Sequence, residues 1–150
     1  MEIAPATVAD APAAAGLLER FYAEEAIPTP AEAVLANVRL VLDEPSIVIL
    51  LAWDGDRAVG VAVAGEDLSV EFGRSAELDD LYVLAEYRGS GLGRRLIEAV
   101  QDWAVGRGCG ALSLVVTPEG QEAHDLIGYY RRLGFVSTGR LVLTMELPAR

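Results

Sequence analysis

The stretch Tyr87-Arg88-Gly89-Ser90-Gly91-Leu92-Gly93-Arg94-Arg95 stands between a strand-like segment and a helix-like segment. Its backbone N–H groups would therefore begin a helix, and the unpaired N–H groups at a helix N-terminus bind anions. The glycines remove side chains that would keep a phosphate away from the main chain, and they permit a positive φ. The arginines add positive charge beside them. The stretch therefore predicts a binding site for a pyrophosphate group.

Two common phosphate-binding loops do not fit this stretch. A P-loop requires a lysine, and the chain contains none. The dinucleotide fingerprint G-x-G-x-x-G also fails, because its last glycine position falls on Arg94 or on Leu96, depending on the start. The pattern that remains is R-x-x-G-x-G, formed by Arg88, Gly91 and Gly93.

Residue patterns along the rest of the chain predict a mixed α/β (α+β) fold with a single domain over residues 1–150. Apolar residues recur at helical spacing in four segments, and short runs rich in Ile, Val and Leu between turn residues are typical of strands. The predicted strands are residues 2–4, 46–53, 57–65, 75–84, 111–117 and 136–147, with a loop at 66–73. The predicted helices are residues 9–25, 29–42, 91–107 and 118–133.

Composition narrows the partners of the protein. The formal net charge is −11, which disfavours nucleic acid because phosphate backbones are held by positive surfaces. No uncharged run approaches the roughly 18 residues that a membrane span needs. The single cysteine, Cys109, excludes an internal disulfide framework and a multi-cysteine metal site. We therefore expect a cytoplasmic protein without nucleic-acid or membrane partners, and a homodimer is the default assembly.

Two further blocks accompany the glycine loop in a recognisable order. The first is Glu77-Leu78-Asp79-Asp80-Leu81-Tyr82-Val83, which runs into Ala85-Glu86-Tyr87-Arg88, and the second is Tyr129-Tyr130-Arg131-Arg132-Leu133-Gly134-Phe135. With the loop between them, they resemble the GNAT superfamily of N-acetyltransferases over roughly residues 76–136.

The resemblance implies a GNAT-type fold, with a mixed, mostly antiparallel central sheet flanked by helices. It also implies acetyl-CoA as cosubstrate and no metal. In that family the loop binds the pyrophosphate of coenzyme A, while the strand before it hydrogen-bonds the pantetheine arm like an added strand. Carried over to this chain, the cofactor-binding residues are Leu81, Tyr82, Val83, Arg88, Gly89, Ser90, Gly91, Leu92, Gly93 and Arg94.

Transfer of acetyl to an amine requires a base for the amine proton, a donor to the oxyanion and an acid for the thiolate. Glu77 is the leading base candidate, since some family members carry a glutamate eleven residues before the loop arginine. By strand alternation Asp79 shares the face of Glu77 and Asp80 does not. Glu77, Asp79 or a water chain remain open as the base. Tyr130 matches the general acid of the family, and a backbone N–H near Val83 would bind the oxyanion.

The acceptor is the least determined part of the site. Many family members carry an asparagine seven residues before the tyrosine, where this chain has Ala123 followed by His124. His124 either substitutes for the asparagine or has no role there. Glu24, Glu25 and Glu32 could form an acidic rim for a small cationic amine, or they are a solvated helix face. The alternatives are a protein or peptide N-acetyltransferase, or a CoA-binding regulatory module without catalysis.

Overall fold

A five-stranded mixed sheet forms the centre of the protein in the computed structural model, which describes residues 1–149. The strands follow one another across the sheet in chain order. The first four are antiparallel to their neighbours, and the last is parallel to the fourth. This arrangement confirms the predicted fold class. The strands are β1 (Glu2–Pro5), β2 (Ile47–Asp54), β3 (Arg57–Ser69), β4 (Gly73–Val83) and β5 (Leu112–Leu114).

Helices cover the sheet and close the core. On α3, the residues Leu96, Ile97 and Val100 recur at helical spacing and are fully buried, as are Leu51 and Val61 of the central strands. Large aliphatic side chains at these positions remove apolar surface from water, which is the main driving force for folding. The helices are α1 (Ala11–Glu24), α2 (Ala31–Leu42), α3 (Leu92–Gly106), α4 (Pro118–His124) and α5 (Leu126–Arg132). No helix among residues 1–149 combines the length and the apolar character that crossing a bilayer requires.

The predicted loop at residues 66–73 is wrong, because most of it belongs to a long β3–β4 hairpin. The pairing of the two strands extends to Ser69 opposite Gly73. Glu66 accounts for the extension, since it forms salt bridges with Arg74 of β4 and with Arg107 at the end of α3. Charged residues that look like a loop in the sequence thus pair with side chains remote in sequence.

The single helix predicted at residues 118–133 is also wrong, because Asp125 divides it. Asp125 has a left-handed backbone with φ 46°, a conformation that cannot continue an α-helix. Gln121 stabilises the break, because its side-chain amide donates to Asp125 and its side-chain oxygen accepts the N–H of Ile127 at 2.7 Å.

The strand predicted at residues 136–147 does not form, and β5 is shorter than the predicted 111–117. Gly139, with φ 77°, interrupts the extended run, and Arg140 is held by Glu71 in the β3–β4 turn at 2.7 Å. The short β5 offers only three residues for pairing, so the segment has no strand beside it. Its apolar side chains are 71–92% exposed: Val136, Leu141, Val142, Leu143, Met145 and Leu147.

Leu96 lies at the centre of the contact between α3 and the sheet and has no exposed surface. We expect Leu96→Ala to lower the free energy of unfolding by about 2–5 kcal/mol, since it removes buried methyl groups and leaves a cavity. Urea denaturation followed by circular dichroism measures the change. Leu40→Ala on α2 is the control, because Leu40 is 71% exposed, and its effect should stay within about 0.5 kcal/mol. Equal losses in the two variants would contradict this description of the core.

Candidate active site

The second half of β4 has a free edge. β5 pairs with β4 only from Ala76 to Leu78, so residues 79–83 have β3 on one side and no strand on the other. The N–H of Leu84 donates to Val59 of β3. Because successive residues of a strand direct their backbone groups to opposite edges, the N–H groups of Leu81 and Val83 point to the free edge. Two of the three residues predicted to bind the pantetheine arm therefore present unpaired amides.

A β-bulge lies where this free edge begins. Val63 of β3 pairs with Asp80 and Ala64 pairs with Leu78, so Asp79 has no partner on β3. Because a bulge can redirect the side chains around it, the face of Asp79 has to be established from its contacts. The Asp79 carboxylate nevertheless lies on the side of Glu77, because it is 3.8 Å from the position of a Cβ built on Gly65, the residue opposite Glu77.

The carboxylates of this bulge have shifted acidities. Burial, and then the neighbouring charges of Glu77 and Asp80, raise the pKa of Asp79 to about 6. Burial also raises the pKa of Asp80, while a hydrogen bond of 2.9 Å from the Tyr22 hydroxyl lowers it. Asp79 therefore has the acidity of a general base that can accept a proton near neutral pH.

A cavity of about 550 Å³ adjoins the glycine loop. Gly89 and Gly91 have φ of 78° and 82°, which L side chains rarely adopt, so the sharp turn before α3 depends on glycine. Ser90 is not in the cavity wall; its hydroxyl donates to the Tyr87 carbonyl at 2.6 Å and closes the loop. The loop and strand residues that line the cavity are Val83, Tyr87, Arg88, Gly89, Gly91, Leu92, Gly93 and Arg94.

The opposite wall of the cavity comes from α5 and was mostly missed by sequence reasoning. Tyr129, Arg132 and Leu133 line it, and the helical spacing i, i+3, i+4 of these three residues is the signal that could have found them. Arg132 in particular adds a cation that the sequence analysis did not assign.

The two adjacent tyrosines have different positions. The Tyr129 hydroxyl faces the glycine loop, 3.3 Å from the position of a Cβ on Gly93. Tyr130 is not in the cavity wall; its ring packs edge-on against Phe135 and Tyr129, with centroids 5.6 and 5.2 Å away. Burial, and secondarily Tyr129, raises the pKa of Tyr130 to about 12. The phenol of Tyr130 is therefore protonated at neutral pH.

The last turn of α1 contacts the same region. Glu24 accepts hydrogen bonds from the Tyr82 hydroxyl at 2.6 Å and from the Arg88 guanidinium at 2.8 Å. Glu25 lies 3.6 Å from the His124 imidazole, so His124 faces the end of α1. Of the predicted acidic rim, Glu24 and Glu25 thus have partners across the site.

Beside α1, a second, smaller cavity of about 380 Å³ is lined by Glu19, Tyr22, Ala23 and residues 27–31. Glu32 is exposed in the first turn of α2. Within residues 1–149, no group of three or more His, Cys, Asp or Glu side chains is arranged to hold a metal ion.

Comparison with known proteins agrees with this geometry. The family model described as the acetyltransferase (GNAT) family matches residues 13–135, which is most of the chain. The chain belongs to the GNAT acetyltransferase family.

Individual relatives of this GNAT protein differ in how much of the chain they match. An uncharacterized N-acetyltransferase of Bacillus subtilis, YhfO, is 32% identical over 143 residues, covering 91% of this chain and 94% of its own. Thialysine N-epsilon-acetyltransferase of Bos taurus is 38% identical over 80 residues, 53% of this chain and 45% of its own. The chain thus spans less than half the length of this curated relative.

A solved structure shows the same fold. Aminoglycoside N-acetyltransferase AAC(6')-Iy in complex with CoA superposes with a TM-score of 0.81 at 23% identity, covering 97% of this chain and 93% of its own.

The raised pKa of Asp79 gives a pH-dependent effect on stability. Its folded-state pKa of about 6 lies above the ordinary 3.8, so the folded protein holds this proton more tightly than the unfolded chain does. That contribution is fully present below pH 4 and is lost as the pH rises through 6. We therefore expect Asp79→Asn to raise the melting temperature relative to wild type more at pH 7 than at pH 4. Differential scanning fluorimetry at both pH values measures this, and a difference independent of pH would show that the carboxylate is ionised normally.

Proposed function

We propose that the protein is an N-acetyltransferase that moves the acetyl group of acetyl-CoA directly to the amine of a small cationic acceptor. The observation that carries the proposal is that three features lie next to one another. The glycine loop begins α3, the free edge of β4 lies beside it, and the edge leads back to Asp79.

The residues present fit the parts of acetyl-CoA. Backbone N–H groups of the loop and of the first turn of α3 would hold the diphosphate, as helix N-termini do for anions. The free-edge amides of Leu81 and Val83 would bind the pantetheine arm as an added strand. Tyr82 directs its backbone groups to β3, so it would contribute through its side chain instead. The aminoglycoside acetyltransferase that shares the fold binds CoA.

The proposed transfer uses a base at the bulge, a backbone N–H of β4 and a phenol of α5. A base, Asp79 or Glu77 directly or through water, takes a proton from the acceptor ammonium, and the freed amine attacks the thioester carbonyl. The N–H of Val83 would stabilise the oxyanion of the tetrahedral intermediate. Collapse of this intermediate breaks the C–S bond, and a phenol donates a proton to the departing thiolate. The second proton lost by the new amide nitrogen then restores the phenol. Tyr130 is the proposed donor, with its protonated phenol adjoining the loop-facing Tyr129.

The charge around the site favours a cationic acceptor. The bulge carries adjacent carboxylates, and Glu19 lines the smaller cavity beside α1. In a protein of net charge −11 such a field attracts amines that are positively charged in solution. The names of similar proteins, thialysine and aminoglycoside acetyltransferases, describe acceptors of this kind. A single domain over residues 1–150, a cytoplasmic address and a homodimer stay predictions.

Thermal-shift titration with acetyl-CoA, CoA, NAD and ATP tests the cofactor. We expect the two CoA compounds alone to raise the melting temperature.

Release of free thiol from acetyl-CoA then tests turnover over a panel of thialysine, spermidine, neamine, amino acids and short peptides. Activity confined to peptides would identify a peptide N-acetyltransferase, and CoA binding without turnover of any amine would identify a non-catalytic module.

Gly91 tests the diphosphate site. Gly91→Asp places a negative charge at the beginning of α3 and a side chain at φ 82°, so we expect CoA binding to weaken by about tenfold or more. Isothermal titration calorimetry measures the dissociation constant. Gly73→Asp is the matched control, because Gly73 also has a positive φ of 66° and open space around it but lies in the remote β3–β4 turn. Similar weakening in both variants would exclude a specific role of the loop.

Tyr130→Phe tests the general acid. Removing the phenol should lower kcat by about 100-fold, the lower range for general acid catalysis, and leave the KM for acetyl-CoA nearly unchanged. Tyr129→Phe is the comparison, because its hydroxyl faces the loop; there we expect kcat to be retained. Thiol release with the best amine of the panel measures both. The reverse outcome would assign the acid to Tyr129.

A further inference from the structure

The side chain of Arg88 is held by two different elements. Its Nε donates to the Val83 carbonyl at 2.9 Å, and its guanidinium lies over the Tyr82 ring at 5.4 Å from the centroid. Both contacts belong to β4. Its third contact is with α1, where Glu24 accepts a hydrogen bond of 2.8 Å in an ion pair.

The contacts with β4 are sufficient to orient Arg88 without Glu24. The Val83 carbonyl is fixed by the strand, and Tyr82 is buried. The ion pair is more weakly held, because the side chains of Arg88 and Glu24 are each 45% exposed and exposed ion pairs contribute little stability. The main effect of Glu24 on Arg88 is therefore on its charge rather than on its position.

Glu24 is anionic at neutral pH. Hydrogen bonds from Tyr82 and then from Arg88 lower the pKa of its carboxyl. Arg88 also lines the cavity of the glycine loop, which the proposed function assigns to the diphosphate of CoA. One guanidinium thus faces two anions, the carboxylate that it already binds and the diphosphate.

We propose that Glu24 competes with the CoA diphosphate for Arg88, so that binding of the cofactor releases Glu24 from the arginine. This inference rests on the proposed function, because it requires CoA in the cavity. Through this competition, Glu24 weakens cofactor binding by pairing with the charge of Arg88. Helix α1 thus contacts both parts of the site: Glu24 pairs with Arg88 beside the cofactor cavity, and Tyr22 donates to Asp80 of the bulge at 2.9 Å.

Calorimetric titration of CoA into wild type and Glu24→Gln tests the competition at low ionic strength, where screening is weak. Glutamine keeps the size of the side chain and an oxygen that can accept from Tyr82, but it loses the charge. We expect CoA to bind about two- to fivefold more tightly, the range that corresponds to removal of an exposed ion pair. A gain in affinity cannot result from damage to the fold.

Glu25→Gln is the matched control, because it changes the net charge equally and Glu25 contacts His124 instead of Arg88. We expect its CoA affinity to equal that of wild type. A third comparison uses Arg88→Gln, in which the further substitution Glu24→Gln should no longer tighten binding.

Each outcome of these titrations decides between the two proposals. Unchanged or weaker binding in Glu24→Gln, equal tightening in Glu25→Gln, or tightening that persists without Arg88 would each overturn the competition while leaving acetyl transfer intact. Absence of CoA binding in wild type would instead overturn the proposed function.

Discussion

A strand that loses its neighbour has backbone N–H groups with no strand to pair with, and β4 is in this position from Asp79 to Val83. Buried polar backbone groups must be paired, so such an edge either meets water or accepts another extended chain. The glycine loop follows this edge directly, and α3 then returns over the sheet. The length of β5 therefore decides whether the protein has a groove. If β5 paired along all of β4, the amides of Leu81 and Val83 would be occupied by the sheet.

The bulge at Asp79 lies where the free edge of β4 begins. An unpaired residue in β4 bends the strand and places carboxylates together where water is partly excluded. Burial, and then repulsion from the charges of Glu77 and Asp80, raises the pKa of Asp79 to about 6. Tyr22 compensates part of the cost by donating to Asp80. One member of the cluster, Asp79, therefore holds a proton more readily than an ordinary carboxyl does.

The sequence was informative wherever the structure depends on local chemistry. The glycine loop, the β2–β3 hairpin and the apolar face of α3 follow from residues close in sequence, and the structure has them near the predicted positions. The family assignment rested on the same local blocks. Contacts that depend on one particular side chain were not predictable, whether the partner is near in sequence or distant. The break at Asp125 depends on the side chain of Gln121, and the long hairpin depends on Glu66 with Arg107. The exposed segment at 136–147 has the composition of a strand. A strand also needs a neighbouring strand to pair with, and composition does not predict that pairing. No residue pattern in the sequence predicts the bulge at Asp79.

The arginines of the glycine loop already have partners within the protein. Arg88 is paired with Glu24, and Arg94 is paired with Glu98 one turn along α3 at 3.0 Å. Arg95 donates to the carbonyl of Met1. Because carboxylates already pair with two of these cations, the proposed diphosphate site would depend mainly on Arg132 and on the N–H groups that the glycines expose at the beginning of α3. These amides cannot be neutralised by a neighbouring carboxylate without blocking the site. A loop built on positive-φ glycines would thus provide the proposed anion site in a protein whose net charge is −11.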